Sequence, residues 1–317
     1  MFMGRCGEKE KKNPGPAYID PEKAGPDFKT QGEYLGSVGS EKLGCQVVAQ
    51  GDGEFLAVFL PGGLPGEGSD SKNRIEVKAK TDGDKTIVGD AGTPYSGVIT
   101  NDALAGKTDK GEAFELKKVL RHSPAEGAKP PAGAVVLFDG TNTDAWKGSM
   151  DERHLLKFGA ETVKPYTDFT LHVEFILPFR PLAREQARGN SGVYIQHRYE
   201  IQVLDSFGMP LRDNYCGSVY TKHAPLVNMT YPPLSWQTYD IEFTAARYDA
   251  SGKKTQDAIV TVKHNGVLVQ DHYDIAFTHT GAGKPEDPTQ QVQSGPLYLQ
   301  DHGNPVFFRN VWVVEGK

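Results

Sequence analysis

The chain has 317 residues, of which 38% are hydrophobic and 10% aromatic, enough for one large domain or two unequal ones with a real core. A formal net charge of −6 argues against a nucleic acid as the main partner. Thirty-six glycines and 21 prolines favour short strands joined by turns over long helices. The three cysteines, Cys6, Cys45 and Cys216, lie far apart and match no metal or redox spacing. No run of about 18 apolar residues is present, so no membrane span is expected.

Residues 1–28 are rich in Lys, Glu, Pro and Gly and predict a flexible tail. They lack the apolar stretch of a secretory signal, which leaves location open. From 29 to 122 the pattern is β-like and predicts a small β-rich domain. "CQVVAQ" (45–50) and "EFLAVFL" (54–60) are apolar runs of strand length separated by a Gly-Asp-Gly turn. "RIEVKAK" (74–80) places Ile75, Val77 and Ala79 on one face and charges on the other, as a half-buried strand does. "PGGLPGEGSD" (61–70) is a loop without a phosphate-loop lysine or a following helix, so a nucleotide role is not expected.

"RHSPAEGAKPPAGA" (121–134) has no periodic apolar pattern and predicts a Pro/Gly linker over 123–134. A second β-rich domain is expected over 135–317. "AVVLFDG" (134–140) reads as a strand ending in an Asp-Gly turn. "DFTLHVEFIL" (168–177) alternates Leu171, Val173 and Phe175 with Thr170, His172 and Glu174, and "WQTYDIEFT" (236–244) points Tyr239, Ile241 and Phe243 inward. "AIVTVKHNGVLVQD" (258–271) carries Asn265-Gly266 between two apolar runs, the strongest short hairpin signal. "GPLYLQDHGNPVFFRNVWVV" (295–314) gives two strands around a Gly-Asn-Pro turn, and "PLAREQARG" (181–189) is a short helical turn or a loop. Long amphipathic helices are missing, which makes the fold class all-β, with a sandwich or jelly roll as the larger domain.

Alternation also sorts the polar residues. With these strands as neighbours in one sheet, His172, Glu174, Gln196, Glu200, Gln202 and Gln300 would line its outer face. Amides and carboxylates satisfy sugar hydroxyls as donors and acceptors, and Tyr194, Tyr199, Tyr220 and Tyr298 offer rings to stack on a pyranose. Two carboxylates held close push their pKa values apart and supply one acid and one base. The plainer alternative is a solvated sheet face, although such faces favour Lys, Glu and Thr over Gln, His, Tyr and Arg. The histidines show no zinc-type pair, and "GNSGV" (189–193) fails the spacing of a serine nucleophile elbow. No cofactor is required by the sequence. A divalent cation at Asp301 or His302 is compatible with it but has no spacing in its support.

"NSGVYIQHRYEIQVLDS", "KHAPLVNMTYPPLSWQTYDIEF", "HNGVLVQD" and "LQDHGNPVFFRNVWV", in this order over about 135–314, resemble the 3-keto-disaccharide hydrolase family. The resemblance implies a concanavalin A-like jelly-roll sandwich and cleavage of sugars already oxidised to a ketone at the third carbon. Such chemistry needs a base for the C2 proton, a stabiliser for the enolate and an acid for the leaving group. Carried onto this chain, the resemblance makes Glu200 or Glu174 the base and the other the acid, with His172 sharing proton transfer. Gln196, Arg198, Gln202 and Gln300 would hold hydroxyls or the oxyanion, Tyr220 and His223 would also contact substrate, and His302 and Arg309 would shape the rim. It also implies a carbohydrate partner and a periplasmic or extracellular location. It does not reach residues 1–134, and no protein partner can be assigned to 29–122. Three readings stay open at this stage: an enzyme on keto-sugar glycosides, a non-catalytic carbohydrate-binding module on the same fold, and an interaction protein with the sandwich as scaffold.

Overall fold

The computed structural model describes residues 14–69 and 71–316; the first part of the expected tail, residues 1–13, lies outside the described residues. The chain is all-β, and its first half closes into an eight-stranded antiparallel barrel. The barrel strands are β1 (Gly32–Val38), β2 (Glu41–Gly51), β3 (Glu54–Pro61), β4 (Ile75–Asp82), β5 (Lys85–Val88), β6 (Tyr95–Thr100), β7 (Ala103–Thr108) and β8 (Ala113–Val119). Each pairs with the next, and β8 returns to β1 with Glu33 opposite Val119. Closure removes the free edges that short strands would otherwise expose. The expected Gly-Asp-Gly turn joins β2 to β3, with Asp52 and Gly53 both at positive φ. Tyr34, Val47, Phe55, Phe59, Val77 and Phe114 fill the interior.

The second half is a two-sheet sandwich. Its strands are β9 (Val135–Phe138), β10 (Trp146–Lys147), β11 (Leu156–Lys157), β12 (Ala160–Thr162), β13 (Phe169–Ile176), β14 (Asn190–Ile195), β15 (Tyr199–Leu204), β16 (Trp236–Thr244), β17 (Arg247–Tyr248), β18 (Lys254–Gln256), β19 (Ala258–His264), β20 (Val267–Ile275), β21 (Tyr298–Leu299) and β22 (Phe307–Glu315). One sheet has five strands in the order β10-β12-β21-β14-β15. The other runs β11-β22-β13-β16-β19-β20, with β9 also on β22, and β17 and β18 pair apart from both. Leu171, Val173 and Phe175 of β13 and Tyr239, Ile241 and Phe243 of β16 meet Val193, Ile195, Ile201 and Val203 of the facing sheet in one core. The alternation read from the sequence therefore orients these strands correctly. The Asn265-Gly266 turn, with φ of 51° and 79°, joins β19 to β20 as its sequence predicts.

Several contacts tie the halves together, among them Arg74 donating to Gly208 O at 2.8 Å. After β13 the chain sends Phe179 into the barrel core, where it packs edge-on against Phe28 and pairs by backbone with Tyr18. Arg121, just beyond the barrel, forms a salt bridge with buried Glu33 at 2.6 Å and lies over the Tyr231 ring. Residues 123–128, in the stretch expected as a linker, lie on the seven-stranded sheet: Ser123 hydrogen-bonds Thr238 at 2.7 Å, and the Gly127 amide donates to Glu174 at 2.6 Å.

Candidate active site

The structure divides the polar residues singled out in the sequence between two separate sheets. His172 and Glu174 leave β13 in the seven-stranded sheet, whereas Glu200 and Gln202 leave β15 in the five-stranded one. Each set points away from the shared core, so the sandwich lies between them. Alternation within a strand fixes which side a residue takes, but not which strands become neighbours, and that is where the expected single face divides.

The His172 group is closed. His172 and Glu174 are both fully buried, beneath residues 123–128. His172 Nδ1 meets Asp240 at 2.6 Å, and its ring stacks on Trp312. Glu174 accepts from Arg309 at 2.7 Å, Asn310 at 2.8 Å and the Gly127 amide. Burial would raise the Glu174 pKa, but His172, Asn310, Arg309 and Gly127 together hold it down at about 2. Burial likewise opposes charge on His172, yet Asp240 and Glu174 leave its pKa raised. Arg309 also reaches Glu126 and stacks over Trp236. This is an ion network that fastens 123–128 to the sheet.

The Glu200 group is built differently. β14 and β15 pair with Tyr194 opposite Glu200 and Gly192 opposite Gln202. The Tyr194 phenol donates to Glu200 Oε2 at 2.7 Å, and Gln300 Nε2 donates to the phenol oxygen at 3.3 Å. The carboxylate lies in the space that a side chain at position 192 would occupy, since a Cβ there would stand 2.5 Å from Glu200 Oε1. Residues 277–284 form a strap over it. Thr280 accepts from the Glu200 amide at 2.7 Å and donates its own amide to Arg198 O, and Lys284 donates to His197 O. Gly281 lies against the carboxylate, with Tyr220 beside it. Only 2% of Glu200 is exposed, and burial, with the Tyr194 hydrogen bond as a partial counterweight, pushes its pKa up to about 7. A carboxyl poised near neutrality is suited to general acid–base work.

Beside it stands His197, in the β14–β15 turn. His197 Nδ1 contacts Glu161 Oε2 at 2.6 Å, and its ring stacks on Tyr298 with centroids 4.6 Å apart. Its centroid is 6.1 Å from that of Tyr194. Burial would raise the Glu161 pKa, but His197 and Lys147 hold it below the usual carboxylate range. Glu161 lies on β12, 36 residues earlier in the chain, so no local motif announces the pair. The imidazole is oriented at Nδ1, which leaves Nε2 as its other protonation site.

Other expected site residues have different surroundings. Gln196 donates to the carbonyls of Tyr166, Thr167 and Gln293, and Arg198 to those of Gln196 and Ser294, so both tie the β14–β15 turn to residues 293–294. Gln196 and His197 have φ of 56° and 55°, a tight turn that sends the two side chains to different partners. Gln202 donates to Gln186 at 3.1 Å on the Glu200 face. Tyr220 is on this side, with its amide on Glu200 O, while His223 is held by Gln270 and stacks on Tyr273. His302 is exposed in the turn after β21. Among the described residues, no three His, Cys, Asp or Glu side chains form a group that could hold a metal ion.

Comparison with known proteins agrees with this architecture. The model of the 3-keto-alpha-glucoside-1,2-lyase-like domain matches residues 133–314, more than half of the chain. The chain is similar to a crystal structure from Parabacteroides distasonis ATCC 8503 titled a "putative glycosyl hydrolase", at 34% identity and a TM-score of 0.52, covering 59% of this chain and 85% of that one. A second structure with the same title and organism aligns at 21% identity and a TM-score of 0.41, over 63% of this chain and 99% of that one. No curated protein matches. The family match over residues 133–314 establishes that the chain belongs to the 3-keto-alpha-glucoside-1,2-lyase-like domain family.

Proposed function

We propose that the protein cleaves glycosides of 3-keto sugars, with Glu200 as the base that removes the C2 proton. The observation that carries this reading is the setting of Glu200: a carboxyl with its pKa near 7, hydrogen-bonded by Tyr194 on a polar face of the family's domain. A ketone at C3 acidifies the C2 hydrogen. Glu200 takes that proton, the electron pair forms an enolate, and collapse of the enolate expels the C1 substituent as the C1–O bond breaks. The leaving oxygen needs a proton, for which the His197–Glu161 pair is the nearby donor. The product is an enone, and water adding back at C1 makes the outcome net hydrolysis. Gln300 and Tyr194 would supply donors to the sugar or the developing oxyanion. The rings of Tyr220 and Tyr298 offer apolar faces to a pyranose.

Glu174 and His172 have no part in this reading, because they sit across the core from Glu200 under residues 123–128. Since Gly281 lies against the Glu200 carboxylate, the strap at 277–284 must lift for substrate to reach it. The test is release of the leaving group from a 3-keto-glucoside and from its unoxidised parent, by wild type and by Glu200→Gln, with and without a chelator. Release from the keto form alone, lost in Glu200→Gln, is the expected result. Saturable sugar binding without turnover would make the domain a carbohydrate-binding module.

A further inference from the structure

The connection from β13 to β14 does not pass directly from one sheet to the other. It runs along the rim of the barrel, and its contacts alternate between barrel and candidate site. Phe179 plugs the barrel core, and Leu182 packs on Gly51, where a Cβ would stand 2.4 Å from Leu182 Cδ2. Arg184 Nη2 donates to Gln50 O at 2.7 Å. Arg188 Nη1 donates to Ala49 O at 3.1 Å, while its Nε and Nη2 hold buried Asp205 at 3.0 and 2.7 Å. Two arginines thus grip successive carbonyls at the end of β2.

The residues between those arginines face the other way. Gln186 Oε1 accepts from Asn190 Nδ2 at 2.9 Å and from Gln202 Nε2 at 3.1 Å, and Gln186 Nε2 donates to Asn214 O at 2.9 Å. Asn190 and Gln202 lie two strand positions beyond Gly192 and Glu200 on the same face. Asn190 is 2% exposed, and its Oδ1 has no hydrogen-bond partner. Both of its N–H donors are already directed at Gln186, so the oxygen is an acceptor held ready for a hydroxyl. Glu185, next to Gln186, has a φ of 50° and accepts from Tyr215 at 2.6 Å. A non-glycine residue in that region is strained and persists where its surroundings fix it.

We propose that Gln186 is a positioning residue that orients the amide of Asn190 toward a substrate hydroxyl, with Gln202 bracing Gln186 from the neighbouring strand, and that the barrel holds the Gln186 turn in place through Arg184 and Arg188. The barrel is then a structural part of the site, and the unit that binds sugar is the whole chain. This rests on the reading of the Glu200 face as the substrate site. Gln186 touches no reacting atom, so its loss acts on binding more than on the chemical step.

The experiment uses the full chain with Arg184→Ala, Gln186→Ala, the double variant and Arg184→Lys, on a p-nitrophenyl 3-keto-glucoside. Arg184 is exposed enough for its substitution to leave the fold intact. Either alanine variant is expected to raise KM by about fivefold with kcat changed less than about twofold, and the double variant to add little to either. Arg184→Lys restores part of the loss. Additive effects, or an unchanged KM in Arg184→Ala, overturn the proposal. Amide hydrogen exchange of residues 186–190 and 202–204 is measured on the same proteins, so that failure of the substrate reading stays separate. Should wild type turn over no keto-glucoside, faster exchange there in Arg184→Ala still supports the link from barrel to site, and unchanged exchange overturns it.

Discussion

Tyr194 and Glu200 face one another across the β14–β15 ladder, and the phenol donates to Glu200 Oε2 over 2.7 Å. That one contact opposes the burial that lifts the carboxyl toward neutrality. The pair therefore sets the pH at which the proposed base becomes available.

As a base, Glu200 must be ionised, so kcat/KM on a 3-keto-glucoside is expected to rise with pH through a midpoint near 7. Tyr194→Phe removes the donor that favours the carboxylate and should move the midpoint upward by about one unit. A pH–rate profile of both proteins checks this. An unmoved midpoint in Tyr194→Phe would assign the titration to another group.

The same group makes a prediction about stability. Its folded pKa, about 7, lies above the ordinary 4.5. Between these values the folded state holds a proton that the unfolded state has lost, so stability falls as pH rises from about 4.5 through 7. The cost above pH 7 is on the order of 3 kcal/mol if Glu200 ionises in place. Glu200→Gln is thus expected to unfold at higher temperature than wild type at pH 8 and to show little gain at pH 4. Loss of activity with a gain in stability is what a buried catalytic carboxyl should give. Thermal unfolding at the two pH values decides it.

Gly192→Ala is expected to separate activity from folding. The new Cβ would stand 2.5 Å from Glu200 Oε1 and 2.9 Å from its Cγ, so the side chain must leave its slot. A side-chain end yields more readily than backbone, and the stability cost should stay near 1–2 kcal/mol. Turnover should fall by about a hundredfold or more, because a displaced base loses its geometry. Near-normal turnover would show that the slot does not define where the base acts.

Alternation made most of the fold legible. Leu171, Val173 and Phe175 were assignable to the core, and the Asn265-Gly266 hairpin was assignable outright, because both signals are local. Barrel closure was not legible, since it depends on β8 returning to β1, a pairing across some 80 residues that leaves no local mark. The site followed the same division. Glu200 and Gln202 were found through their shared strand face, but Glu161 and His197 come together only through the order β12-β21-β14. Glu174 drew attention as a polar residue inside an apolar strand, and Arg309 through the resemblance. The structure shows a second reason for such residues, which is to anchor a crossing segment.

Glu174 tests that second reason. Its pKa is held at about 2, below the ordinary 4.5, so its contribution to stability is fully present above about pH 4.5 and is lost as pH falls toward 2. His172 has a raised pKa, so its contribution is present at low pH and is lost as pH rises through its folded value. Asp240, Arg309, Asn310, Glu126 and Trp312 surround the two and leave no open side toward substrate. Glu174→Gln keeps the shape but removes one of the two carboxylates on Arg309, and because Arg309 is about a third exposed and keeps Glu126 it should destabilise the protein by about 1–2 kcal/mol at pH 7. The loss should shrink as pH approaches 3, where wild type also begins to lose the ion network. Exchange of the amides at 125–128 should quicken, while KM and kcat on the keto-glucoside stay within about twofold, because Glu200 lies on the far side of the core. The opposite result, turnover abolished with thermal stability unchanged, would return Glu174 to the chemistry and undo the separation of the two faces.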